Sequence, residues 1–205
     1  MKKIVVAALA AALICGCKGN EPFKRVCPIP ADVDLTDIKE ATLSASFSSD
    51  DFNWRGSNLT LTLYSKDIYN AADIASLQKG DTLVFKGDEI VVSSLKRDGV
   101  NLTVNGGIEE GGAYLQQLDA NTWRSLLLDD HFAYEKIGTV ELFLDDNFTI
   151  TDCGSEPDDP KVTVSTGQKA YIDDLPEYKK IFSELDTEVS IKHGTIVSIN
   201  RRWIP

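Results

Sequence analysis

The 205-residue sequence is 42% hydrophobic and 26% charged, with a formal net charge of −11. These are the proportions of an ordinary globular protein, which excludes a low-complexity or fibrous chain. An acidic body repels phosphate backbones, so nucleic acid is excluded as the expected partner.

Lys2 and Lys3 precede an apolar run from Ile4 to Ile14. That order is the charged start and apolar stretch of a secretory signal. The run is too short to persist as a membrane-spanning helix of roughly 20 residues. Its end, Ile14-Cys15-Gly16-Cys17, resembles the lipobox of bacterial lipoprotein signals: an aliphatic residue stands three before Cys17 and a small one directly before it. Cys15 fits less well, because the bulky Ile14 precedes it. The resemblance implies a signal peptide over 1–16, cleavage after Gly16, diacylglycerol on the Cys17 thiol and N-acylation of the new terminus. Several acyl chains together anchor a protein stably. The alternatives are a plain secretory leader and a Cys-x-Cys metal or redox site. Redox pairs, however, place two residues between their thiols. Lys18 stands where an aspartate retains many lipoproteins at the inner membrane, so the outer membrane or cell surface is the expected location. Loss of the leader makes the body two charges more negative and leaves Cys27 and Cys153 as its remaining thiols. A Cys27–Cys153 disulfide is expected in an oxidising compartment, against two unpaired buried cysteines.

Residues 17–34 are polar and carry Pro22, Pro28 and Pro30, as a tether would. Strand signals follow: Leu43, Ala45 and Phe47 alternate with small polar residues, as do Leu59, Leu61 and Leu63. Asp67 is placed to cap a short helix, IYNAADIASL, that ends against Gly80. Lys-Gly-Asp then occurs twice, at Lys79 and Lys86. An adhesion tripeptide is one reading. Turn chemistry is the better one, with Gly87 supplying the positive φ of a hairpin between TLVF and EIVV. A further hairpin is expected at Lys96 to Gly99.

The same grammar recurs downstream. Phe47 to Phe52 is echoed by Phe143 to Phe148, LTLYS by VTVST, and the hairpin after Asp81 by the one after Asp186. This shared order predicts an internal duplication of a strand–strand–helix–hairpin unit, with halves at 35–107 and 108–205 that form either two units or one domain over 35–205. Pro176 suits the first turn of a helix whose apolar face is Tyr178, Ile181, Phe182 and Leu185. A last hairpin turns at His193-Gly194. The expected fold class is β-rich α+β, with antiparallel sheets or a small barrel and two to three short helices.

Chemical signatures are few. GxSxG, P-loop, HExxH and CxxC patterns do not occur, so the common hydrolase, nucleotide and zinc routes lack their local motifs. Ser93-Ser-Leu-Lys96 matches Ser-x-x-Lys but falls on an expected strand and has no Lys-Thr-Gly companion. Asp129 and Asp130 beside His131 could surround a divalent ion, though acidic loops are usually only solvated. Asp145-Asp-Asn147 begins a calcium loop but puts Ile150 where its glycine belongs. Asp50–Asp51 and Asp173–Asp174 are adjacent, and neighbours on a strand point to opposite faces. Neither a metal nor a cofactor is expected. Three tryptophans each adjoin an arginine: Trp54–Arg55, Trp123–Arg124 and Arg202–Trp203. Either they offer a recognition surface, or each tryptophan caps a core edge while its arginine reaches into solvent.

The expected function is a membrane-anchored, non-catalytic binding or scaffold module that contacts another envelope protein, a peptide or a glycan. A carboxylate-dependent hydrolase of envelope polymers is the alternative, and a simple surface spacer the third reading. In overall character the chain resembles small lipoproteins of gut bacteria, which implies no particular ligand.

Overall fold

The computed structural model describes residues 23–153, 163–164, 167–202 and 204. The expected signal peptide with its lipobox-like end, Cys17 and Trp203 lie outside the described residues.

The period-two pattern at Leu59, Leu61 and Leu63 buries all three leucines and turns Thr60 outward, along the strand Asn58–Lys66. Each buried leucine contributes about 1.5–3 kcal/mol. Five strands share this core, and their pairing closes on itself. Glu40–Ser48 pairs with Asn58–Lys66, Asn58–Lys66 with Tyr134–Asp152, and Tyr134–Asp152 with Thr195–Arg201. Thr195–Arg201 pairs with Thr187–Lys192, which returns to Glu40–Ser48. All these contacts are antiparallel except that of Tyr134–Asp152 with Thr195–Arg201. The third ring strand is 19 residues long. An irregularity between Leu144 and Thr149 bends it from one neighbour to the next. The parallel contact needs a crossover, and the helix Gln168–Asp174 lies in that connection and buries Ile172 in the ring core.

A second core lies in the connection between the second and third ring strands. The chain leaves the ring at Lys66 and re-enters at Tyr134, and these two residues are register partners. Residues 67–133 therefore form one long insertion at a hairpin position. They build a five-stranded sheet ordered Ile68–Asn70, Thr122–Leu126, Ala113–Gln117, Asn101–Val104, Leu95–Asp98. A three-stranded sheet completes the unit, in which Arg25–Val26 runs parallel to Thr82–Phe85, itself paired with Asp88–Val91. Tyr69, Ile74, Leu83, Leu102, Leu115 and Trp123 form its core.

The fold is thus β-rich, with two short α-helices among the described residues and mixed but mostly antiparallel sheets. Its two cores draw residues from both sides of position 107. The echoing segments occupy unlike settings: the hairpin 82–91 belongs to the inserted unit, whereas 187–201 belongs to the ring. Gly87 takes φ +84 in the turn after Phe85, as the turn reading of Lys-Gly-Asp requires.

Two local expectations are corrected. Asp67 caps no helix: Ile68–Asn70 is a strand, and the helix begins at Ala71 behind Asn70. The apolar stripe after Pro176 forms only a 3-10 turn, Glu177–Lys179. Ile181 and Phe182 then pair with Ser48 and Phe47. The stack of Phe182 on Phe47 at 4.5 Å explains why strand pairing displaces the helix.

Candidate functional site

Strand alternation divides the Trp123–Arg124 pair. Trp123 enters the core of the inserted unit, so its neighbour must lie on the opposite face of the sheet. There, Gln116 Oε1 accepts from Arg124 Nε at 3.0 Å and Nη2 at 2.6 Å. The amide of Gln116 faces Asn101 Oδ1 at 3.4 Å, so the guanidinium ends a polar ladder across three strands. Its carbon sits 4.7 Å from the centroid of Phe132, and the Lys66 ammonium is also 4.7 Å from that ring.

Phe132 is fixed by a β-bridge to Leu126 after a tight loop in which the N–H of Leu127 bonds the carbonyl of His131 at 2.7 Å. Within it, Asp129 and Asp130 have φ of 61° and 62°. Two successive left-handed aspartates store backbone strain, a feature that clusters at ligand sites. From the ring side comes Arg202, its backbone N–H held by Asp186 O at 2.8 Å. Arg124, Asp130, His131, Phe132, Arg202 and Ile204 are among the walls of a cleft of about 240 Å³ at the junction of ring and insertion.

The loop has a second side. Asp129 and Asp130 also line a cleft of about 420 Å³ with Asn101, Thr103, Glu109 and Tyr114. The Tyr114 hydroxyl donates to Glu109 Oε2 at 2.8 Å. The Glu109 carboxyl lies below its ordinary range, through its own backbone N–H and then Tyr114. A third cleft, of about 320 Å³, opens where Ile29 and Ala31 meet the ring and includes Tyr64, Lys66 and Glu188.

Of the tryptophan–arginine pairs, Arg124 and Arg202 come together. Trp54 instead packs on Phe52, rings parallel at 4.7 Å, while Arg55 is exposed, and neither lines these three clefts. Cys27 and Cys153 are free thiols, so the expected disulfide is absent from this structure. Cys27 follows a strand of the inserted unit and takes a 2.8 Å contact from Arg25 Nη1, whereas Cys153 follows the third ring strand directly. The paired carboxylates serve local structure: Asp51 caps Ser48, and Asp173 pairs with Lys169. Ser93 is bonded to Asn105. Among the described residues, no group of three or more His, Cys, Asp or Glu side chains converges as a metal site. Lys66, Gln116 and Phe132 carry no sequence signal, since only long-range strand register brings them to Arg124.

Comparison of the chain with known protein families, with curated proteins and with solved structures finds no match.

Proposed function

We propose that the protein is a non-catalytic binding module held at the cell envelope by lipid on Cys17, with the junction cleft of Arg124 and Arg202 as its ligand site. The observation that carries this reading is the convergence of two arginines, one from each unit, on a cleft walled by a strained loop. Such junctions are where ligand sites concentrate. The cleft is smaller than the roughly 300–1,000 Å³ that houses a whole drug-sized ligand, so it suits the end group of a larger envelope molecule. The ring also resembles OB-folds, five-stranded Greek-key arrangements that bind chains across an outer face; the analogy is of fold and transfers no ligand.

Anchoring is tested by metabolic acyl labelling, with label and membrane retention expected for the native protein and lost in Cys17→Ser. For the site, native protein and an Arg124→Gln/Arg202→Gln variant are used to capture ligands from envelope extract. Material retained by the native protein and lost by the variant is the expected result. Equal retention by both overturns the assignment of the cleft.

A second reading rests on Glu109, Asp129 and Asp130, three carboxylates lining one cleft, which is the raw material of a hydrolase of envelope polymers. An acid–base pair needs one carboxyl held protonated by burial. Here Asp129 and Asp130 are exposed and Glu109 is held ionised. Turnover of an envelope polymer that disappears in Glu109→Gln or Asp130→Asn would favour this second reading.

A further inference from the structure

We infer that the junction cleft selects a carboxylate, and that its ligand is an organic monoanion recognised by Arg124 and Arg202 together. The inference rests on the binding-module reading and adds the chemical class of the ligand. Four observations carry it.

The first is charge. In a protein of net charge −11, two lining guanidiniums, Arg124 and Arg202, meet one lining carboxylate, Asp130, and the Lys66 ammonium stands 4.7 Å from the Phe132 ring, so positive charge is in excess at the cleft. That excess attracts an anion, while Asp130 disfavours a phosphate dianion, which would meet it as well. The second is the state of the arginines. Among the described residues the Arg202 side chain has no hydrogen-bond or ion-pair partner, and Arg124 spends Nε and Nη2 on a neutral amide oxygen. Among the described residues neither guanidinium is held in an ion pair. The third is pre-organisation. Gln116 and the face of Phe132 fix the Arg124 plane before any ligand arrives, and a planar fork pairs best with a planar carboxylate. The fourth is Phe132 itself. Both Arg124 and Lys66 crowd its ring, so it serves to hold cations and is a poor platform for stacking a neutral sugar.

The test titrates purified full-length protein, labelled at arginine Nε, with sodium acetate, sodium glucuronate, polygalacturonate, inorganic phosphate and glucose at matched ionic strength. Saturable shifts of the Arg124 and Arg202 signals with the carboxylates, and none with glucose, are expected. Acetate and glucuronate binding alike identifies a free acid as sufficient; much tighter binding of the polymer identifies an acidic chain. Arg202→Gln, an exposed site, is expected to weaken binding roughly tenfold or more while leaving melting unchanged. Phosphate binding more tightly than acetate, or glucose moving the same signals, overturns the carboxylate assignment. If the small anions and the polymer leave both arginines unmoved while native protein still captures envelope material through them, the anion inference falls and the binding module stands. If capture is also unaffected by the arginines, both fall.

Discussion

Arg201 and Asp152 are register partners across the parallel contact of the ring, with Nη1 3.4 Å from Oδ2 and both side chains buried. Arg201 Nη2 also donates to the carbonyls of Lys179 at 2.7 Å and Ile181 at 3.1 Å, and its guanidinium carbon lies 3.6 Å from the centroid of Phe182. Tyr171, from the crossover helix, donates to Asp152 Oδ2 at 2.8 Å. One ion pair thus joins the third and fifth ring strands to the helix and to the turn that follows it. Removing one partner leaves the other charge buried, so Arg201→Met is expected to cost about 3–5 kcal/mol in urea unfolding. Arg201→Met combined with Asp152→Leu should cost less than the two single changes summed. Strict additivity would show that the charges are not coupled.

Asp67 links the units in a different way. Its backbone N–H bonds the carbonyl of Ala133 at 3.0 Å, its carbonyl accepts from Ser125 N–H, and its carboxyl Oδ2 accepts from Lys86 N–H at 2.7 Å. Oδ1 is buried without a hydrogen-bond partner among the described residues. Burial pushes this carboxyl up to about 6, opposed by the Lys86 N–H and reinforced by the charge of Glu135. The folded state therefore holds the proton more tightly than the unfolded chain, whose carboxyl titrates near 3.8. Stability conferred by the protonated group is complete below about pH 4 and is lost as pH rises through about 6. The loss attributable to Asp67 reaches up to about 3 kcal/mol. In Asp67→Asn this decline between pH 4 and 6 should vanish from the stability profile, and an unchanged slope would assign it to other groups.

Local pattern makes the strands and turns readable, and distance in the chain hides the rest. Leu59, Leu61 and Leu63 announce a half-buried strand, and His193-Gly194, at φ 51° and 78°, forms the turn their order implies. The run at Ile181 and Phe182 is ambiguous because short apolar stretches fit either helix or strand. Phe47 decides it, more than a hundred residues upstream. The insertion is invisible for a related reason, since nothing in Lys66 or Tyr134 states that they are partners. The site is half legible: adjacency to tryptophan singles out Arg124 and Arg202, but the same signal also picks Arg55, which lines none of the clefts described.

Gly111 and Gly112 separate two reasons for glycine. Gly111 has φ +78 and open space where a methyl group would stand, so Gly111→Ala should cost about 1–2 kcal/mol from backbone strain alone. At Gly112 a Cβ would stand 1.9 Å from the carbonyl oxygen of Val104 in the neighbouring strand. Backbone cannot rotate aside as a flexible side chain can, so Gly112→Ala should be the more damaging, at about 3 kcal/mol or more. Thermal unfolding of both variants decides the order, and equal losses would mean that the sheet yields at Val104.

Trp123 and Arg124, neighbours on one strand, should respond oppositely to replacement because the pleat sends them to different faces. Trp123 is buried among Leu115, Tyr69 and the other residues of the inserted core. Its truncation leaves a cavity the sheet cannot fill, so Trp123→Ala should lower stability by about 3–5 kcal/mol. Arg124 is half-buried on the outer face, and its bonds to Gln116 are partly solvated. Arg124→Gln should therefore shift stability by about 1 kcal/mol or less while abolishing the carboxylate response of Arg202. Urea unfolding run beside the anion titration reads both effects. Loss of binding in Trp123→Ala at temperatures where it remains folded would return that tryptophan to the recognition surface and place the ligand differently from the junction cleft.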